Sequence, residues 1–178
     1  KGGSKYWAWL DWNEYPIANN DFDLYFCALQ AGKCKPIGAS TSLQAGKAPP
    51  LEVLGGTAQE SGWYGWAIKR KSGSGTPLLR LFSLAGGQLK YSDIENSVSE
   101  PASCTATFAV GAMAADDYQT GPIAAYSSQG PTEDGRIKPD VSGPGCQSND
   151  DGGVTSCSSS GGYSSKCGTS MSSPTVCG

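Results

Sequence analysis

Histidine is absent from all 178 residues. That gap removes the side chain best suited to move protons near neutral pH, and with it every mixed Cys/His zinc pattern. Cys-x-x-Cys is missing as well, so the spacings do not read as a metal site. No apolar stretch approaches the roughly 20 residues that a membrane-spanning helix requires. The formal charge is −3 and no extended basic run occurs, so neither nucleic acid nor an anionic membrane is an expected partner.

What is plentiful is small residues and rings. With 25 glycines, 11 prolines and many serines, the chain favours strands and turns over long helices. Hydrophobic residues make up 38%, five of them tryptophan, which is enough for a packed core in one domain or two small ones.

Seven cysteines point to structural disulfides and a secreted, extracellular setting. Cys27 and Cys34 bracket Ala28-Leu29-Gln30-Ala31-Gly32-Lys33, a natural hairpin tip, and closing that loop contributes roughly 2.5 kcal/mol by chain entropy. Cys146, Cys157 and Cys167 lie in a serine-rich, loop-like stretch. Cys177 falls where a helix would pack a small residue, and it is expected there as a buried free thiol. The spacing leaves the pairing of these four and Cys104 open, and an odd total leaves at least one unpaired within the chain.

Residues 1–98 read as strands. In Asp21-Phe22-Asp23-Leu24-Tyr25-Phe26 the apolar Phe22, Leu24 and Phe26 share one face, with Asp21, Asp23 and Tyr25 on the other. Tyr6–Trp12, Trp63–Lys69 and Leu78–Phe82 continue the pattern between turn clusters, so an antiparallel β-sandwich is expected. Trp7, Trp9, Trp63 and Trp66 are expected in its core, the alternative being an exposed platform for carbohydrate or peptide. Asn20, Asp21 and Asp23 are the candidate calcium ligands, being oxygen donors grouped at a turn. The competing reading has Asn and Asp capping the turn, with Asp23 on a solvated strand face.

In residues 99–178, Thr105–Met113 and Ile123–Ser127 read as strands, residues 128–139 as a turn-rich connection and Val141–Gly145 as a short strand or loop. The last eleven residues, from Gly168-Thr169-Ser170-Met171-Ser172-Ser173-Pro174 onward, describe a loop that turns abruptly into a helix. Thr169 or Ser170 is placed to cap it, and Pro174 is tolerable in its first turns. A serine at such a junction stands beside free backbone N–H groups at the positive end of the helix dipole, a good place for a nucleophile.

These blocks resemble the subtilisin-like serine proteases. The nucleophile motif of that family has its serine in the middle of Gly-Thr-Ser-Met, which assigns Ser170, with Gly168 and Thr169 as substrate-binding neighbours. The segment Tyr126-Ser127-Ser128-Gln129-Gly130-Pro131 through Lys138-Pro139-Asp140-Val141 is similar to the stretch that precedes the serine, and Phe108–Ala112 to an earlier strand. The resemblance covers residues 101–178. It makes Asp140 a structural residue, and it implies a partial α/β core over residues 99–178. The order of features in residues 1–98 resembles a jelly-roll-like module, related to pre-peptidase C-terminal domains, inserted ahead of the serine-bearing part.

A serine hydroxyl needs an adjacent base. In this family the base is a histidine oriented by an aspartate, and neither motif is found here, nor is the oxyanion asparagine. One departure from the pattern is Thr175, where many members carry a histidine that is not the catalytic one. The sequence therefore reads as the serine-bearing part of a secreted endopeptidase acting on peptide or protein substrates, inactive by itself and requiring no cofactor. The alternative is a non-catalytic secreted protein, protease-derived, that binds or self-assembles. Uncovered sheet edges and apolar faces in residues 99–178 imply contact with an upstream protease fragment or with copies of itself.

Overall fold

A computed structural model of the chain describes residues 2–84, 89–117, 119–146 and 153–178. They form two compact units, Lys1–Leu89 and Lys90–Gly178.

Period-two alternation builds the first unit. Strand β1 (Lys5–Trp12) buries Tyr6, Ala8, Leu10 and Trp12, and β2 (Asp21–Gln30) adds Phe22, Leu24 and Phe26 to the same core. Strands β3 (Lys33–Ser40), β4 (Leu51–Thr57), β5 (Tyr64–Ser72) and β6 (Leu79–Ser83) complete two three-stranded antiparallel sheets, ordered β4-β1-β6 and β3-β2-β5. Rings join the sheets: Tyr6 stacks on Phe26 at 3.7 Å, and Trp12 meets Phe22 edge-on at 5.1 Å. Burying each such side chain stabilises the fold by roughly 1.5–3 kcal/mol. A jelly roll has eight strands in two Greek keys; six are described here.

Between β2 and β3 the two-residue turn Ala31-Gly32 has φ of 49° and 75°. Positive φ at both positions is the hairpin turn whose twist matches the strands. Cys27 and Cys34 are bonded across this hairpin, their Cα atoms 5.2 Å apart.

Tryptophan placement departs from expectation. Of Trp7, Trp9, Trp63 and Trp66, only Trp66 packs against the core. Trp7 and Trp63 are 48% and 80% exposed, and Trp9 stacks on Phe82 outside it. The cause is register: once Tyr6, Ala8, Leu10 and Trp12 face inward, Trp7 and Trp9 must face outward. Asp23, expected on a solvated strand face, is buried together with Asp21. Its Oδ2 accepts the Tyr25 hydroxyl at 2.6 Å and lies 3.4 Å from the Lys71 ammonium, which supplies the compensation a buried carboxylate needs.

The second unit has less regular structure. β7 (Val110–Ala114) and β8 (Val141–Cys146) pair in parallel, and β9 (Val154–Cys157) pairs antiparallel with β10 (Tyr163–Lys166). Helix α1 (Thr169–Cys177) packs on β8 and β7. Among the described residues the expected α/β core amounts to this one parallel pair and one helix.

Two expected strands are shorter than their composition suggests. The stretch Thr105–Met113 becomes strand only from Val110, because Ala109 gives its amide to the Asp140 carboxylate at 2.7 Å and the residues before it close turns. Ile123–Ser127 reduces to a single bridge between Ile123 and Met113, since Ser127 turns back to the Ala124 carbonyl.

Candidate active site

Gly168 is the N-cap of α1, at φ 136° and ψ 164°. That backbone is one L side chains rarely adopt, so the position needs glycine. No side chain caps the helix. The expectation that Thr169 or Ser170 caps it is thereby corrected: both lie inside the first turn, where a side-chain oxygen cannot reach forward to the N2 or N3 amide as a cap does. Met171 and Ser172 direct their amides at the Gly168 carbonyl, at 2.9 and 3.4 Å. The amides of Thr169 and Ser170 have no acceptor among the described residues. Ser170 is exposed. Pro174, four residues on, has no N–H to offer the Ser170 carbonyl.

Helix α1 sits on glycines. A Cβ at Gly145 would lie 2.6 Å from Ser172 Oγ and 2.7 Å from Ala112 Cβ, and one at Gly143 would lie 2.7 Å from Val176 Cγ2. The bare backbone of β8 is what lets Ser172, the buried residue of the helix, come down onto the strand. Two further ties hold the loop. The Gly168 amide donates to the Gly145 carbonyl at 2.9 Å, and Cys146 is bonded to Cys167. Cys104, Cys157 and Cys177 are free and exposed. Exposure of Cys177 overturns its expected burial, because α1 turns Ser172 rather than Cys177 onto β8.

Beside Ser170 opens a cleft of about 690 Å³, walled on one side by the β9–β10 hairpin and on the other by α1. Ser156, Ser164, Lys166, Ser170 and Met171 all line it. The hairpin turns through Gly161 and Gly162, both at positive φ (89° and 75°).

The stretch before β8 is scaffold. Ser127 is buried and its Oγ accepts the Ala112 amide at 3.0 Å. Lys138 reaches the Thr107 carbonyl at 2.6 Å and Asp140 Oδ2 at 2.7 Å. The Lys138 ammonium, then the Ala109 amide, hold the Asp140 carboxyl below the usual carboxylate range. Arg136, then the Thr132 hydroxyl, pull Asp134 down to about 2. Asp140 is thus committed to structure. The Cys104 thiol donates to Glu100 at 2.6 Å, which pushes its pKa up and away from nucleophilic service.

Of the candidate calcium ligands, Asp21 and Asp23 have protein partners, and Asn20 has one through its amide nitrogen. The Oδ1 of Asn20, the atom that would face a cation, is buried without a hydrogen-bond partner among the described residues. Asn20 donates its side-chain amide to Glu14 Oε1 at 2.6 Å, Asp21 Oδ1 accepts the Gln44 amide at 3.1 Å, and Asp23 holds Tyr25 and Lys71. Among the described residues no group of three or more His, Cys, Asp or Glu side chains could hold a metal ion.

The seat of the Ser170 loop was not read from the sequence. Its signal was present in the matched dipeptides Gly145-Cys146 and Cys167-Gly168, each pairing a bridge with a close backbone approach. Lys166 in the cleft was missed too, since a lone lysine carries no pattern.

A family model described as the Subtilase family matches residues 34–178. The chain belongs to that family. The match begins within β3 and runs through the whole second unit. No curated protein and no solved structure matches the chain.

Proposed function

We propose that this chain carries the nucleophile of a secreted subtilisin-like serine endopeptidase, and that Ser170 is that nucleophile. The supporting observation is the exposed Ser170 in the first turn of α1, with the Thr169 and Ser170 amides, which have no acceptor among the described residues, beside it and a cleft alongside. Ser170 Oγ attacks the scissile carbonyl carbon, and the oxyanion that forms is stabilised by the Ser170 amide and the positive end of the helix. The C–N bond then breaks, the amine leaves with a proton returned by the base, and water hydrolyses the acyl-enzyme. Gly168 and Thr169 line the substrate backbone. The chemistry requires no cofactor.

The base is a histidine oriented by an aspartate, supplied by polypeptide beyond these residues, since the sequence has no histidine. The parallel β7–β8 pair and α1 are read as part of a larger α/β sheet that such polypeptide completes. The first unit is read as an inserted, jelly-roll-like sandwich. A second reading, a protease-derived binding or self-assembling protein, is favoured by the missing histidine alone.

Co-expression with an upstream subtilase segment carrying the His and Asp motifs decides between them. Turnover of a general peptide substrate that disappears in Ser170→Ala supports the peptidase. A folded, stoichiometric complex without turnover supports the binding protein.

A further inference from the structure

We propose that the cleft beside Ser170 is a subsite for an acidic substrate side chain, with Lys166 as its specificity-determining residue. The inference rests on the peptidase reading above and adds to it the chemistry of the substrate.

The register of the hairpin sets the cleft wall. Ser164 stands opposite Ser156, and Lys166 opposite Val154. Directly opposed residues, and residues two apart, share one face of a strand pair. Val154, Ser156, Ser164 and Lys166 therefore form one face, and all four line the cleft. The opposite wall is Met171, Pro174 and Thr175 of α1. Ser170 lines the same space, four residues beyond Lys166.

Among the described residues lining the cleft, Lys166 is the one charged side chain. The others offer hydroxyls or apolar surface. A carboxylate entering here meets an ammonium and several O–H donors, and no described carboxylate opposes it. A lysine or arginine entering meets a like charge. At about 690 Å³ the space accepts one side chain and its flanking backbone. Lys166 is exposed, so the discrimination it gives is modest: about threefold for glutamate over glutamine, and about tenfold for glutamate over lysine.

The test uses the chain completed by an upstream segment carrying the His and Asp motifs. Matched fluorogenic peptides place Glu, Gln or Lys at each position within four residues of the scissile bond. The ratio of kcat/KM between Glu and Lys peptides is read within each variant, so differences in overall activity cancel. Thermal melts show that each variant is folded. At one position the wild type is expected to prefer Glu, Lys166→Gln to flatten the ratio and Lys166→Glu to reverse it. A ratio that Lys166→Glu leaves unchanged at every position overturns the subsite. Fluorophosphonate labelling separates the two ideas. Labelled Ser170 with a flat wild-type profile removes the subsite alone, and unlabelled Ser170 removes the peptidase reading and the subsite with it.

Discussion

The Gly168 amide donates to the Gly145 carbonyl at 2.9 Å, and the residues next to them in sequence, Cys146 and Cys167, are bonded with Cα atoms 4.6 Å apart. Together these ties pin the start of α1 to the end of β8. Because Ser170 follows Gly168 by two residues, its position is set by backbone and sulfur, with no dependence on a side-chain cap.

The Cys146–Cys167 bridge spans a sequence separation of 21. Chain entropy assigns it roughly 3 kcal/mol, against roughly 2.5 for the shorter Cys27–Cys34 loop. Replacing Cys146 and Cys167 together by serine is expected to lower the unfolding free energy of the second unit by about that amount. Urea titration followed by hydrogen exchange of β8 and α1 amides checks it. Full protection of those amides in the double variant would contradict the clamp.

Gly145→Ala tests the seat of the helix. Its Cβ would sit 2.6 Å from Ser172 Oγ and 2.7 Å from Ala112 Cβ, in a space already filled. Overpacking of this kind costs about 1–3 kcal/mol. The pairing Gly145→Ala with Ser172→Gly, which removes the obstructing hydroxyl, is expected to recover part of the loss. No recovery in a double-mutant cycle would show that Ser172 is not what the new methyl meets.

How much of this was legible follows from what each signal depends on. Strand positions in the first unit are local: alternation in Phe22, Leu24 and Phe26 settles a face without knowledge of the partner strand. Placement of Trp7 and Trp9 is not local, because both faces of β1 carry rings, and only the shared core with β2 selects Tyr6 and Trp12 as inward. Asp23 looked solvent-facing because its compensating cation, Lys71, comes from a strand far along the chain. The Ser170 loop was legible as a motif. Its support was not, since Gly145 and Gly168 come together only when β8 and α1 pack, and the choice of Cys146 over Cys157 as the partner of Cys167 is made by that same packing.

Acid stability gives a third check. Lys138 and the Ala109 amide hold the folded-state pKa of Asp140 below its ordinary value of about 3.9. A lowered carboxylate pKa contributes stability that is present above the unfolded value and is lost as pH falls through the folded one. Asp134, pulled down to about 2, behaves in the same way between about pH 4 and pH 2. Asp140→Asn is therefore expected to be less stable than wild type near pH 7, with the gap closing below about pH 4. Thermal melts across that range measure it. A gap that widens on acidification would reverse the sign and remove the Lys138–Asp140 pairing from the account.

The central claim is that Ser170 is a serine nucleophile awaiting its base, and fluorophosphonate labelling read by peptide mass spectrometry tests it most directly. A serine reacts readily only when a base takes its proton, and removing the base from a triad lowers turnover on the order of 10⁴–10⁶-fold. The purified chain alone is expected to label negligibly and to hydrolyse no peptide at a protease's rate. With an upstream segment supplying the histidine and aspartate, label is expected on Ser170 and on little else. Label on another residue with Ser170 untouched, or protease-like turnover by the chain alone that Ser170→Ala abolishes, would contradict the account.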